Sequence, residues 1–452
     1  MGEDEKKYHF SKALAKIRRA VWKFCVEEKY ALLIFFAVTL LKLFIEEWQP
    51  MEWMRGQAFV ALHHYLMVEP RRQIPVVLVD ISHLIQVRPG ESAGEVATNH
   101  FSSMEDYYSP TDLSNIVYRV ARQHPAAIGI DIDFSPDFDL SLEAPRSKYL
   151  FLDYCSHAQA ASGSPVPVFA GVYRGAAYSP RYWLGDESLT NLAAWIAIYE
   201  GSPIFRVPAR LHNYSDATDL RSMGLALAES YKARGGGPES RLASRLRRLF
   251  ASDYEVEDFA IGTNRLERWS YYVNFNYLPR LLNERGTKIP AEDILRFGGP
   301  GMAGKTDLEL QELLKDKIVL IGDAEAHHND DVSVPGESRP TAGVYVHACG
   351  VCTLIDRPLA SMRWGIGAAL ALLVLVFFLC LKRRNLLSEN RFHILLPYTA
   401  ALSVAAIAWF FAISTHILWL DSISVVAALF FERDFHLLLD AKHGHAQKKD
   451  KA

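Results

Sequence analysis

The longest apolar stretches of the chain lie near its two ends. Residues 30–48 are largely apolar, residues 364–381 and 394–413 carry no formal charge, and residues 417–431 contain one charged residue, Asp421. A helix of roughly 18 to 20 such residues crosses a hydrocarbon layer of about 30 Å. We interpret the four stretches as a four-helix transmembrane bundle. The alternative is that they are helices of a buried protein core.

The basic residues beside these stretches predict an orientation. Lysines and arginines close to a span stay on the cytoplasmic side, and they are frequent in residues 1–29, between the second and third stretches, and in the tail 432–452. We therefore expect both termini in the cytoplasm and residues 49–362 outside, as one extracytoplasmic domain. No small-residue cleavage site follows the first span, which indicates an uncleaved anchor.

Within residues 49–362, three short apolar runs each end in aspartate. The runs 75–80, 126–133 and 317–323 have the length and β-branched content of buried strands. Residues 109–124 predict a helix between the first two runs, with Ser109 or Thr111 as its cap and with one apolar face, formed by Leu113, Ile116, Val117 and Val120. The pattern predicts an α/β domain with a mixed, largely parallel sheet and flanking helices, in which the first two strands form a parallel pair.

Further strands are predicted at residues 165–173 and 271–278, and further helices at 219–233 and 238–252. Since ligands of open α/β sheets bind at the carboxyl ends of parallel strands, the acidic strand ends predict a ligand-binding edge. Its candidate residues are Asp80, Asp131, Asp133, Asp323, Asp331 and His347.

The loop after the third run is crowded with histidine and aspartate. His327, His328, Asp330 and Asp331 offer nitrogen and oxygen donors suited to a divalent metal ion, although no regular ligand spacing such as HExxH is present. The loop is also consistent with a solvated polar segment, or with the binding of an anionic or small organic ligand. Asp131 and Asp133 have no obvious nucleophile beside them, which argues against an enzyme.

Two further pairs of residues have alternative interpretations. Cys349 and Cys352 lie three apart in CGVC, a spacing that permits a disulfide or dithiol centre and equally suits two small core residues on one helical face. Lys42 and Asp421 fall at similar depth in the predicted first and fourth spans. An intramembrane pair would relieve the cost of two isolated charges, and snorkelling to the outer interface would also do so.

Several motifs in this order resemble the CHASE2 family of extracytoplasmic sensor domains, over about residues 30–431. They are PVVLVDIS, AAIGIDIDFSP, ATDLRSMGLALA and KIVLIGDAEAHHNDDVSVP followed by GVYVHA. The resemblance implies a sensor domain with one transmembrane helix before it and three after it. The chain has YYSPTDL where the family commonly has a tryptophan- and proline-rich turn. The segment after Phe431 is also too short to bury a kinase or cyclase core.

These features predict a multi-pass sensor of a bacterial inner (plasma) membrane that passes an outside signal to a separately encoded cytoplasmic partner. We expect membrane lipid and a second copy of the chain as further partners. The net charge of −3, without a basic stripe, argues against nucleic acid. Alternatives are a non-enzymatic effector or scaffold subunit whose outer domain binds another protein, and an outer-facing metal-dependent enzyme.

Overall fold

The computed structural model describes twenty-two segments of the chain. They are residues 16, 18–19, 22–24, 26, 28–46, 74–84, 109–134, 146–172, 192–196, 206–214, 218–235, 249, 251–252, 254–261, 264–296, 304–325, 331–335, 337–356, 360–386, 396–415, 417–419 and 421–431. The chain divides into two compact units. The first comprises Met1–Met54, Leu242–Ser252 and Ala360–Ala452, and the second comprises Arg55–Arg241 and Asp253–Leu359.

The helices and strands are numbered here in chain order. The helices are α1 (Lys29–Glu46), α2 (Pro110–Arg122), α3 (Arg146–Ser156), α4 (Met223–Ala233), α5 (Leu278–Asn283), α6 (Ala291–Leu295), α7 (Asp307–Leu314), α8 (Gly343–Asp356), α9 (Trp364–Leu386) and α10 (Leu396–Thr415). The strands are β1 (Val76–Asp80), β2 (Ala127–Asp133), β3 (Val168–Val172), β4 (Ala193–Trp195), β5 (Arg206–Asn213), β6 (Thr218–Arg221), β7 (Ala251–Ser252), β8 (Glu255–Ile261), β9 (Asn264–Tyr272), β10 (Lys288–Pro290), β11 (Ile318–Gly322), β12 (Asp331–Val332), β13 (Thr341–Ala342), β14 (Ala360–Met362) and β15 (Ile417–Leu418).

The second unit is built on a six-stranded sheet. Its strand order is β10-β1-β11-β2-β3-β4, and every neighbouring pair is parallel. The predicted α/β class and parallel sheet are confirmed. The predicted direct pairing of the first two strands is wrong, because β11, from much later in the chain, lies between β1 and β2. The strand of this sheet that comes last in the chain therefore lies in its interior.

Helices cover both faces of this sheet. On one face, α2 buries the predicted apolar residues Leu113, Ile116, Val117 and Val120, and the side chain of Ser109 caps its first turn. Helices α3, α6 and α7 contribute to the same core. On the other face, α4 and α8 pack together in a second core with the apolar residues of β1 and β11.

A second sheet in this unit is antiparallel, with strand order β6-β5-β9-β8. Two sequence expectations change here. The strand predicted at residues 271–278 is wrong beyond Tyr272, because the chain turns there into a short 3₁₀ helix, Phe275–Tyr277, and then into α5. The helix predicted at 219–233 begins only at Met223, and its first residues belong to β6.

The first unit contains α1, α9, α10 and a further helix over residues 422–431. These four helices pack around one apolar cluster that includes Phe35, Leu375, Val404 and Val425. Among the helices that the structure describes, none combines the length and the apolarity required to cross a membrane. The transmembrane character of these segments stays a prediction.

Candidate functional site

Three neighbouring strands are in register near the carboxyl edge of the parallel sheet. Asp80 of β1 is in register with Gly322 of β11, and Gly322 is in register with Asp131 of β2. Because side chains alternate along a strand, these three positions share the sheet face that carries α4 and α8. The predicted acidic edge therefore exists, with a glycine at its centre, and we call Asp80, Gly322 and Asp131 the strand-end row.

Asp80 is held in a salt bridge at one end of the row. The Nζ atom of Lys288, on the adjacent strand β10, lies 2.7 Å from the carboxylate of Asp80, which is only 5% exposed. The backbone N–H groups of Ser82 and Ala324 also donate to this carboxylate. Burial by itself raises the pKa of Asp80, but Lys288 and the Ser82 N–H outweigh it and hold the pKa below its usual value.

Gly322 lets α8 approach the centre of the row. A Cβ atom at this position would lie 2.9 Å from Cγ2 of Val344 and 3.0 Å from Cβ of Asp131. Such distances are closer than real Cβ atoms tolerate, so the second residue of α8 packs directly on the backbone of β11. The antiparallel pair β12–β13, in which Asp331 is opposite Ala342, immediately precedes this helix.

At the other end of the row, Asp131 faces His347 of α8. The imidazole Nε2 lies 3.6 Å from Oδ1 of Asp131, and both side chains are 8% exposed. This distance exceeds a hydrogen bond but suits an ion pair when the imidazole is protonated. Burial raises the pKa of Asp131, and the negative charge of Asp323, which directly follows β11, raises it further, to about 7. This end of the row can bind or release a proton near neutral pH.

A family model now identifies the chain. The model of the CHASE2 domain matches residues 31–381, which run from α1 through the strand-end row into α9. The chain belongs to the CHASE2 family. The sequence resemblance is therefore confirmed, and CHASE2 domains are extracytoplasmic sensor domains, not catalytic ones. No curated protein and no solved structure matches the chain.

The remaining predicted ligand residues of this CHASE2 domain are spread around the row. Asp133 lies two residues beyond Asp131 on the same face of β2 and is half-buried. Asp323 is 9% exposed and accepts a hydrogen bond from the backbone N–H of Glu325. The backbone of Asp331 forms β12. Their role in ligand binding stays a prediction.

The predicted metal site lies largely outside the described residues. His327, His328 and Asp330 fall in the segment 326–330, which is not described, and for Asp331 only the backbone is described. Among the described residues, no group of three or more histidine, cysteine, aspartate or glutamate side chains could hold a metal ion. A divalent metal at the loop remains an untested prediction.

The two cysteines of CGVC lie in the buried part of α8. Cys349 and Cys352 keep thiol side chains that are 0% and 1% exposed, and both belong to the apolar core. No disulfide joins them in the structure. Burial, and secondarily Cys352, raise the pKa of Cys349, so its thiol is unreactive at neutral pH. This arrangement agrees with the alternative of two small core residues.

The predicted intramembrane pair is described at one residue. Asp421 is 2% exposed, beside Gly367, whose carbonyl oxygen accepts a hydrogen bond from Trp419. Lys42 lies in α1, and its side chain is outside the described residues. The pairing of Lys42 with Asp421 stays a prediction.

Two residues of the site were missed by the sequence interpretation. Lys288 neutralises Asp80 from the edge strand β10, which is only three residues long and gives no periodic signal. Tyr345 of α8 lies beside this pair, and burial raises its pKa. The sequence signal for Lys288 was weak, since the segment KIP at residues 288–290 is too short to predict a strand.

Proposed function

We propose that this chain is a membrane-bound sensor that detects an extracytoplasmic signal and passes it to a separately encoded cytoplasmic partner. The family supports a sensory role in general. The observation that carries the proposal is the position of α8. This helix brings Val344 and His347 to the strand-end row, and from its end at Asp356 the chain continues through β14 into α9, which begins at Trp364.

A sensor of this kind needs two conformations whose balance shifts when the site changes its occupancy. Helix α8 is suited to this role because it is buried from Gly343 to Ile355, so a shift of the helix must change its packing. A change in the charge of the row alters what α8 packs against. In this proposal, α8 transmits the change along the chain to α9.

Membrane insertion is supported by the outer surfaces of the helices in the first unit. Leu373, Leu402 and Phe410 are 67%, 67% and 71% exposed, although they belong to apolar helices. Exposed apolar surface of this kind marks contact with a membrane or another protein. The uncharged sequences 364–381 and 394–413 and their basic flanks favour lipid, with the second unit outside.

Cysteine labelling of intact cells tests the orientation. In a background with Cys25→Ser and Cys380→Ser, the described cysteines 155, 349 and 352 are buried and therefore unreactive. A membrane-impermeant maleimide should label Ser162→Cys, in an exposed turn of the second unit, in intact cells. The matched variant Lys448→Cys, in the terminal segment, should react only after permeabilisation. The opposite pattern would contradict the proposed sensor.

The proposal includes a homo-oligomer, because a two-fold arrangement of identical helices offers a simple path for a signal. Light scattering of the purified chain in detergent measures its copy number. A mass of one chain at micromolar concentration would remove this part of the proposal.

A further inference from the structure

One end of the strand-end row carries three titratable side chains in a largely buried place. Asp131 and His347 are each 8% exposed, and Asp323 is 9% exposed. They come from β2, from α8 and from the end of β11. Burial of two carboxylates and an imidazole close together makes it energetically unfavourable for all three to keep the charges that they carry in water.

Further charged groups lie on the adjoining elements. On β1, Asp80 is paired with Lys288 of β10, so this cation is already engaged at 2.7 Å. On β2 itself, Asp133 adds a further carboxylate. Among the described residues, further titratable groups at this edge include Tyr345 of α8, beside the Asp80–Lys288 pair, and His83 and Glu325, which lie 3.5 Å from each other.

Helix α4, which packs on the same face, meets the middle of β2 with apolar side chains. Helix α4 meets Gly129 of β2 with the side chains of Met223 and Leu227, at 2.8 Å from a Cβ built on that glycine. An apolar neighbour cannot neutralise Asp131, and the partner across the ion pair, His347, is charged only when protonated. Gain or loss of a proton therefore changes the charge on this pair of side chains.

The position of His347 couples this balance to the helix. Val344 and His347 are three residues apart on α8, so they lie on the same face of the helix. Val344 packs on Gly322 while His347 meets Asp131, and these two positions are neighbours in the row. Repulsion or attraction at His347 therefore acts on the same helical turn that contacts β11.

We propose that Asp131, Asp323 and His347 form a proton-operated switch, which holds the first turns of α8 on the strand ends when protonated and loosens them when the proton leaves. The inference rests on the proposed sensor function and names its signal as the proton concentration outside the cell. The direction agrees with the pKa of Asp131, raised to about 7, because protonation removes one of two adjacent buried negative charges.

Hydrogen–deuterium exchange of the purified chain in detergent tests the switch. Labelling is compared at pH 6 and pH 8, with times scaled for the intrinsic pH dependence of amide exchange. In the unsubstituted chain, the protection of the amides of residues 341–350 should fall about tenfold between pH 6 and pH 8. A tenfold change is the free-energy equivalent of one pKa unit. Amides of β8 and β9 should keep their protection and serve as an internal reference.

In Asp131→Asn the side chain at position 131 is neutral at pH 6 and at pH 8, so the amides of α8 should stay protected at both pH values. The matched control Asp153→Asn changes a carboxylate that is 58% exposed on α3 and should retain the full pH dependence. If Asp131→Asn behaves like Asp153→Asn, the switch is wrong. Should Asp131→Asn fail to fold, His347→Gln provides the second test: it should move the pH midpoint of α8 protection, and an unchanged midpoint contradicts the proposal.

Failure of the switch and failure of the proposed function can be distinguished. Exchange that is independent of pH in the unsubstituted chain would overturn the switch and leave the labelling of Ser162→Cys untouched. Inward-facing Ser162→Cys would overturn the proposed orientation, whereas the response of purified α8 to pH would stand.

Discussion

Asp80 and Asp131 occupy equivalent positions at the carboxyl ends of strands on either side of β11, and their electrostatics are opposite. Each is largely buried on the same face of one sheet. Burial raises the pKa of both, but Asp80 has Lys288 at 2.7 Å and its pKa falls, whereas Asp131 has Asp323 as its charged neighbour and its pKa rises. The residue type and the backbone position are the same, so the neighbouring charge decides which aspartate is structural and which can respond.

The two ends of the row therefore have different tasks. The Asp80–Lys288 pair joins β1 to β10 with a fixed charge balance, which favours a rigid attachment of the edge strand. At the other end, the balance depends on a proton, and the partner lies on α8. A sheet edge with one fixed end and one titratable end can change locally without losing its fold.

Removing the cation of the fixed end should produce the largest effect. Lys288→Met leaves the carboxylate of Asp80 buried without its partner and should lower the free energy of unfolding at pH 7 by roughly 2–3 kcal/mol. The figure lies below that of a fully buried pair because Lys288 is 36% exposed. The shift of the unfolding midpoint of the purified chain, followed by tryptophan fluorescence in urea, measures it.

The pH dependence of this loss has a definite sign. The pKa of Asp80 is lowered in the folded chain, so its stabilisation is present above the unfolded pKa and is lost as the pH falls through the folded pKa. The penalty of Lys288→Met should therefore shrink on acidification below about pH 4. Lys315→Met, at an exposed lysine, is the matched control. A penalty of equal size at about pH 3 and at pH 7 would show that lost packing, not charge, is responsible.

The pattern of apolar residues predicted individual strands and helices but not their order in the sheet. The runs that became β1, β2 and β11 were recognisable because central strands of a parallel sheet are apolar on both faces, and helix α2 was recognisable from its period and its Ser109 cap. The insertion of β11 between β1 and β2 depends on pairing between distant parts of the chain, which local periodicity does not contain. The same holds for Lys288, since its partner Asp80 lies in a different part of the sequence.

Sequence reasoning brought Asp131 and His347 into one candidate site, yet it could not distinguish Asp131 from Asp80. That distinction needs the neighbours in space. The error at residues 271–278 has a local cause: the aromatic run YYVNFNYL has strand propensity throughout, but the side chain of Asn274 accepts from the N–H of Asn276 and starts a 3₁₀ turn.

The centre of the row should respond to added volume. Gly322→Ala places a methyl group 2.9 Å from Val344 and 3.0 Å from Asp131, and it should cost about 1–2 kcal/mol through strain between β11 and α8. Adding Val344→Ala to this variant should recover part of the loss, because it removes the nearer clashing atom. Urea unfolding of the two single variants and the double variant gives the coupling.

Gly365→Ala in α9 is the control for this series, because a Cβ at that glycine meets nothing within 4 Å. It should leave the unfolding midpoint unchanged or raise it slightly, since alanine favours the helix. Strict additivity of Gly322→Ala and Val344→Ala would contradict the direct contact between β11 and α8, and with it the path from the row to the helix.

The smallest effect is expected where the paired charges are exposed to solvent. Glu229 of α4 bridges Arg210 and Arg221 at 3.5 and 3.2 Å, with all three side chains 37–41% exposed. Solvent screens such pairs, so Glu229→Gln should change the free energy of unfolding by less than about 0.5 kcal/mol, and added salt should reduce the change further. A loss above about 1 kcal/mol in the same urea assay would mean that exposure does not separate weak ion pairs from strong ones in this fold. The large effect expected of the Asp80–Lys288 pair would then need a cause other than its burial.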